Sequence, residues 1–473
     1  MKVLRVLTII CFSLVILIPT LIFNLEEDAI SVIDNRKLAV NPFSAEAAGN
    51  GDLTESIENY VGDRIGLRDE MILAYTVLND KIFGKMIHPS YVYGKDEYVF
   101  SAGLTVYPCY GEFHETFADM VLKIQDYCRE RDIPFVFVFN PAKPAILTEY
   151  IPQGMNYDRE WVDLFLRALD KRGINYIDNT EILREKTAEG EKVFNKKYDA
   201  NHWNDLGALY GTNQILQVMK KDIPEVHVNE EEELTFGEMR QTTLPVSEFP
   251  IDEMVPNIEI NMSYESIAEE YREELALNPN FQGFNYCINS ERIEEGSPRA
   301  LVFQGSYMNG FGSKYLINGF GEYIAVHDYQ NVIDFPYYFN IFKPDCVVFE
   351  VAEYTFSNGY FDLERMKAMD LNPTLDNVLS KNDNIQDKKL DKDKLTVEKG
   401  KKLTKINWRT DEDISRGWIK LDEEKVYDLK KNESEYETTV LTEEYEEYMK
   451  DMQIISIGKD GEIYRYLVSE DRL

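Results

Sequence analysis

The sequence is poor in cations, in cysteine and in histidine. Lys and Arg total 51 against 85 Asp and Glu, a formal charge of −34 over 473 residues. A field of that sign repels nucleic acid, whose binding rests on Lys and Arg meeting phosphates. It also disfavours a strongly anionic polymer as ligand, unless cations or a local basic pocket intervene. The five cysteines (Cys11, Cys109, Cys128, Cys287, Cys346) form no CxxC pair and no zinc-type spacing. No glycine-rich phosphate loop and no metal-ligand cluster occurs, so neither a cofactor nor a metal is expected. A Cys109–Cys287 bridge is open to the chain only if it is exported.

What is present is enough apolar residue, 44%, to build cores, and a length that suits two or three units. Lys2 and Arg5 precede an apolar run from Val6 to Phe23, and Glu26, Glu27 and Asp28 follow it. The run has the length a bilayer core requires, and the charges flanking it place the body outside the cell. It reads as an uncleaved single-pass anchor (1–24). The alternative is a cleaved signal peptide, but no small-x-small site directly follows the run, and Ala45-Glu46-Ala47, which has the right form, lies far downstream.

Residues 25–50 read as a polar stalk, and Thr54 to Phe83 turns helical. Tyr91–Phe100, with Gly94-Lys95-Asp96 at its centre, suits a hairpin. A βα alternation follows. Phe135–Phe139, Asn175–Ile177, Ala300–Phe303, Tyr323–Val326 and Cys346–Phe349 read as strands. Phe113–Arg129, Trp161–Lys171 and Leu206–Met219 read as helices. Unbroken apolar strands alternating with helices predict a parallel sheet covered on both faces, here over 51–375, with ligands beyond the carboxyl ends of its strands. Residues 225–297 read as an acidic insertion that covers the site, and 376–402 as a charged linker. From 403 to 473 short strands predict a small β-rich domain. Its Trp408, Trp418, Tyr427, Tyr436, Tyr464 and Tyr466 either fill a core or stack on sugar rings.

Two short segments carry chemistry. Ser306 follows a buried strand directly, in Leu301-Val302-Phe303-Gln304-Gly305-Ser306. A tight turn there exposes its hydroxyl and aims backbone N–H groups at an oxyanion, although such a serine also serves as a helix N-cap. Asp199 and His202 have a D-x-x-H spacing that lets the carboxylate hold Nδ1 and leave Nε2 free as a base. The same stretch also reads as a helix N-cap at Asn204 beside a packed Trp203. Arg64 and Arg68 read as structural partners of Asp63 and Asp69, and Glu350 and Glu353 as structural acids.

In order along the chain these pieces resemble the SGNH-hydrolase-like alginate O-acetyltransferases of the AlgJ/AlgX type and their Gram-positive DHHW relatives. The matching segments are Asp34–Ala39, Tyr60–Asp69, Val92–Phe100, Phe135–Pro152 (at Pro141, Lys143, Tyr150 and Pro152), Asp199–Gly207, Leu301–Phe311 and Lys343–Glu350 with Glu353. The resemblance implies a flavodoxin-like sheet and a triad in permuted order. Asp199 would orient, His202 would act as base and Ser306 would carry acetyl to a sugar hydroxyl of a cell-surface or secreted polysaccharide. It also implies a membrane-bound O-acyltransferase partner that delivers acetyl groups across the bilayer. Tyr307, Asn140, Asn309, Lys143 and Trp203 are the oxyanion or substrate candidates. The chain departs from the family pattern in three places. Its acid lies three residues before the histidine instead of two, Gly305 precedes the serine, and Glu353-Tyr354 replaces Glu-Arg and so removes a cation. A carbohydrate acetylesterase with the same triad, or a non-catalytic glycan-binding scaffold, is the rival reading.

Overall fold

The computed structural model describes residues 2–33, 36–44, 52–103, 108–245, 249–381, 384–432 and 435–467. Asp34, Asn35 and Ala45-Glu46-Ala47 lie outside them. The apolar run forms helix α1 (Lys2–Leu21), almost wholly exposed. The helical stretch after the stalk divides in two, α2 (Leu53–Arg64) and α3 (Arg68–Phe83). Asp52 caps α2, its side chain accepting from Thr54 N–H, and Leu67 turns the corner at φ 59°.

The body is built on a seven-stranded sheet. Its spatial order is Tyr176–Asp178, Phe135–Asn140, Cys346–Ala352, Arg299–Gln304, Glu322–His327, Phe284–Ile288, Glu265–Ser266. The first five strands are parallel; Phe284–Ile288 runs antiparallel to them, and Glu265–Ser266 pairs antiparallel with it in turn. Side chains alternate between two cores. Phe137, Phe139, Phe303 and Phe349 meet Phe117, Trp161 and Phe165 on one face. Val136, Val138, Val302 and Val348 meet Trp203, Ala208 and Leu216 on the other. Both faces are thus dry, which is why these strands read as continuous apolar runs.

The parallel strands, counted from the one that precedes Ser306, stand in the order 2-1-3-4-5. That is the flavodoxin-like order, entered by the chain at a different point. Its switch point lies between Arg299–Gln304 and Cys346–Ala352. Connections from these two strands leave toward opposite faces and open a crevice at their carboxyl ends. Ser306 sits at the mouth of that crevice.

Two expectations need correction. Residues 225–297 are not an excursion laid over the site. Phe284–Ile288 and Glu265–Ser266 complete the main sheet, and Leu234–Thr243 pairs with Pro250–Ile260 in a long hairpin that buttresses the body. Nor is 376–402 a free linker. Ile385–Lys389 pairs with Ile463–Leu467, and Leu395–Lys399 with Leu403–Arg409. These are edge strands of the two sheets, five- and four-stranded, that make up the C-terminal region. Trp408, Trp418, Tyr427, Tyr436 and Tyr466 are buried there as core, and Tyr464 is half-buried. Cys109 and Cys287 are free thiols, one exposed and one buried.

Candidate active site

The loop from Lys196 to Asn204 is held from three sides before it presents any functional group. Glu253, on the long hairpin, accepts the backbone N–H of Lys196, Lys197 and Tyr198 at 2.7, 2.7 and 2.6 Å. From below, the buried Lys143 donates to the carbonyls of Val99, Lys196 and Asp199 at 2.8, 3.3 and 2.9 Å. Burial lowers the Lys143 pKa to about 7. From the sheet side, Tyr307 donates to the carbonyls of Pro141 and Asn201 at 2.6 and 2.8 Å.

Within that frame Asp199 takes the left-handed conformation, φ 67°, which a short polar side chain tolerates. The turn lets Oδ1 accept the N–H groups of Asn201 and His202 at 2.9 and 3.0 Å, while Oδ2 meets His202 Nδ1 at 2.7 Å. His202 Nε2 lies 2.8 Å from Ser306 Oγ. The two residues are 104 positions apart in the sequence and meet across the end of the sheet. Burial works against a charged imidazole, but the Asp199 carboxylate outweighs it and holds His202 above its ordinary value. Burial would likewise raise Asp199. The imidazole and two backbone N–H groups hold it below the usual carboxylate range instead.

Ser306 opens a helical run that continues to Gly319. Its first turn therefore presents N–H groups with no acceptor inside the helix. The run contains a wide turn, Met308–Gly312, in which Ser313 N–H reaches Met308 C=O; insertions of this kind recur at functional sites. Glu350 fixes the approach to the serine. Its Oε2 accepts Gly305 N–H at 2.8 Å and its Oε1 accepts Asn140 Nδ2 at 2.7 Å. Burial, and then the nearby buried Asp328, raise the Glu350 pKa to about 8.

Of the oxyanion and substrate candidates, the side chains of four are committed elsewhere. Asn140 is fully buried, bonded to Glu350 and to Asn179 at 2.7 Å. Lys143 faces backbone carbonyls under the loop. Trp203, also fully buried, donates to Tyr307 C=O at 3.0 Å. The Tyr307 hydroxyl is a brace, which leaves only its backbone N–H in the first turn. Asn309 is exposed and accepts from Gln304 Nε2 at 2.7 Å.

Glu353 is a structural acid, held by Arg159 at 3.0 and 3.1 Å and by Ala142 N–H at 3.0 Å. Asp63 is bound by Arg36 and Asp69 by Arg68, each at 2.7 Å. Among the described residues Arg64 pairs with no acid and binds backbone carbonyls instead.

One functional group escapes the sequence reading. The Tyr354 hydroxyl lies 2.8 Å from Ser306 Oγ and 2.8 Å from His202 Nε2, closing a triangle with them. Desolvation of the hydroxyl among these groups keeps that phenol protonated far above its ordinary range, although the residue as a whole is 36% exposed. The signal was in view as the Tyr that stands where the related pattern has Arg, but only the lost cation was read from it.

Residues 92–247, about a third of the chain, match the family model described as SGNH hydrolase-like domain, acetyltransferase AlgX. Asp199 and His202 fall inside that segment and Ser306 beyond it. No curated protein matches the sequence. Among solved structures, Bacillus cereus PatB1 with a sulfonyl adduct is similar at 15% identity and TM-score 0.43, over 57% of this chain and 98% of that one. The O-acetyltransferase domain of Pseudomonas putida AlgJ has 14% identity and TM-score 0.42, over 60% and 99%. A DHHW family protein from Eubacterium siraeum has 14% and 0.42, over 60% and 95%. The relationship indicated by the ordered motifs is thus shown over residues 92–247: that segment matches the SGNH hydrolase-like domain of the AlgX acetyltransferases.

Proposed function

We propose that the chain is an extracytoplasmic O-acetyltransferase that moves acetyl groups onto a hydroxyl of a polysaccharide through acetyl-Ser306. The observation that carries the reading is the unbroken line of contacts from Asp199 Oδ2 through His202 to Ser306 Oγ, at 2.7 and 2.8 Å. That is hydrogen-bond reach for a base and its nucleophile.

In the first half-reaction Ser306 Oγ attacks the acetyl carbonyl carbon and its proton passes to His202 Nε2. The Asp199 carboxylate stabilises the imidazolium. First-turn N–H groups of Ser306 and Tyr307 meet the oxyanion, whose collapse expels the donor's oxygen as it takes the proton from Nε2. In the second half-reaction a sugar hydroxyl gives its proton to Nε2 and its oxygen attacks the acetyl carbon. Ser306 Oγ leaves and recovers the proton. The Tyr354 phenol, which touches both partners, donates a hydrogen bond to whichever oxygen carries charge.

The matched AlgX-type domain supports a polysaccharide acceptor. The charge of −34 favours a neutral or amino-sugar polymer over a polyanion. Helix α1, with 20 residues and an exposed apolar surface, is read as a membrane anchor that keeps the body beside a membrane-bound O-acyltransferase as acetyl donor. The test is to incubate the protein with an acetyl ester, with and without oligosaccharide, and follow both acetate and acetylated sugar. Acetyl transfer to the sugar that disappears in Ser306→Ala supports the reading. Acetate release indifferent to every acceptor would make the protein an esterase, and absence of any adduct on Ser306 would leave a glycan-binding scaffold.

A further inference from the structure

Helix α3 is inside out. Its buried positions are polar, Thr76 and Asn79. Each is satisfied by backbone: Thr76 by the Ile72 and Ile87 carbonyls, Asn79 by the Tyr75 carbonyl. Leu73 and Val77 pack inward against Met86, Val99 and their neighbours, but most of its apolar side chains face out, with Met71, Tyr75, Leu78, Ile82 and Phe83 exposed at 41, 57, 55, 60 and 65%. Positions 71, 75, 78 and 82 fall on one stripe of a helix. Single exposed apolar side chains are ordinary, but a continuous stripe marks a surface that meets something apolar. Beside it lies an open groove of about 740 Å³, lined by Met71, Ile72, Tyr75, Met86, Ile87 and Met155 among others.

The occupant follows from what the start of α3 is fastened to. Gly66 N–H donates to Pro19 C=O at 2.9 Å, and Asn24 N–H to Arg64 C=O at 2.8 Å. The Arg64 guanidinium, 2% exposed, donates to the carbonyls of Asn24, Glu26, Glu27 and Ala39 at 3.4, 2.5, 3.2 and 2.7 Å. Gly66 has no room for a side chain, since a Cβ there would stand 2.1 Å from the Ile22 carbonyl oxygen. The exit of α1 is therefore clamped to the corner from which α3 departs. With α1 across a bilayer, that corner lies at the outer membrane surface.

We propose that the exposed stripe of α3 rests on the outer surface of the lipid bilayer, so that the body is held by an interfacial helix as well as by its anchor. The inference rests on reading α1 as an anchor. Tyr75 is a side chain that settles at a membrane interface, Leu78 and Ile82 supply the apolar face that an interfacial helix buries, and Lys81 and Lys85 can reach outward from apolar surface to the headgroups. The contact is apolar in kind, because a body of charge −34 gains nothing from anionic lipid.

The test uses the full chain reconstituted in phosphatidylcholine vesicles whose acyl chains are brominated, with tryptophan emission read against unbrominated vesicles. The four native tryptophans are buried in the body, none more than 4% exposed, and the parent protein supplies the background. Leu78→Trp and Ile82→Trp should each lose most of the added emission, as should Phe12→Trp within α1. Phe236→Trp, exposed on the long hairpin, should lose none. Unquenched Leu78→Trp and Ile82→Trp beside a quenched Phe12→Trp would overturn the proposal and leave the stripe to a protein partner. An unquenched Phe12→Trp would instead sink the anchor reading, and this inference with it.

Discussion

Asp199→Asn is the substitution that isolates the proposed chemistry from the fold. Asn tolerates the left-handed φ of 67°, and its Oδ1 can still accept the N–H groups of Asn201 and His202. Only the contact to His202 Nδ1 changes, from a carboxylate oxygen at 2.7 Å to an amide NH₂. Two donors cannot face each other, so the ring shifts its proton to Nε2 and loses the lone pair that faces Ser306. A triad with the wrong tautomer loses roughly 10⁴ in kcat, about 5.5 kcal/mol of barrier.

The histidine's pKa should also fall, since the carboxylate is what holds it above 6.5. In the parent a base must be neutral, so kcat/KM should rise with pH through an apparent pKa above 6.5 and be lost as pH falls through it. In the variant the residual rate should titrate at lower pH. Acetyl release from an aryl ester, taken from pH 5 to 9 and read beside thermal unfolding, checks both points. A variant that unfolds like the parent and loses less than about tenfold in rate would refute the proposed role of Asp199.

Ser306→Ala should fold like the parent and acquire no acetyl group when the intact protein is weighed after exposure to an activated acetyl ester. Tyr354→Phe removes one hydroxyl from the triangle with Ser306 and His202; if that hydroxyl meets developing charge it contributes about 1.5–3 kcal/mol, so steady-state kinetics should show a loss of roughly 10- to 100-fold in kcat with little change in melting temperature. Lys143→Met leaves the Val99 and Asp199 carbonyls without this donor, while Lys196 C=O keeps the Val99 N–H, and should cost about 2 kcal/mol or more by urea unfolding. In the parent, the depressed pKa of Lys143 means that the unfolded chain binds more protons between about 7 and 10.5. This group's share of stability should therefore be flat below about 7 and rise with pH across that window, a dependence that Lys143→Met should abolish.

What the sequence determined by itself was local. The central parallel strands announce themselves because a strand buried on both faces is apolar along its length; Phe135–Phe139 and Cys346–Phe349 carry that pattern, and the polar residues of these strands, Asn140 and Glu350, come only toward their carboxyl ends. The Asp199–His202 pair was legible because three residues of chain suffice to fold the acid back onto the ring. Where the chain entered a charged edge, the pattern misled. Ile385–Lys389 and Leu395–Lys399 read as linker because edge strands carry the charges that keep a sheet from pairing further.

The rest belongs to tertiary structure. Ser306 meets His202 because of the order in which strands are laid side by side, and no run of residues encodes that order locally. Tyr354 reaches the site because it follows directly on Cys346–Ala352, the strand that borders the serine strand. Lys143 turns to carbonyls, and not to the crevice, because the Asp199 loop passes over it. Glu253 reaches from a distant hairpin to hold the chain that leads into Asp199. Each of these is set by which surfaces pack together, and packing is a property of the whole chain that a one-dimensional pattern does not carry.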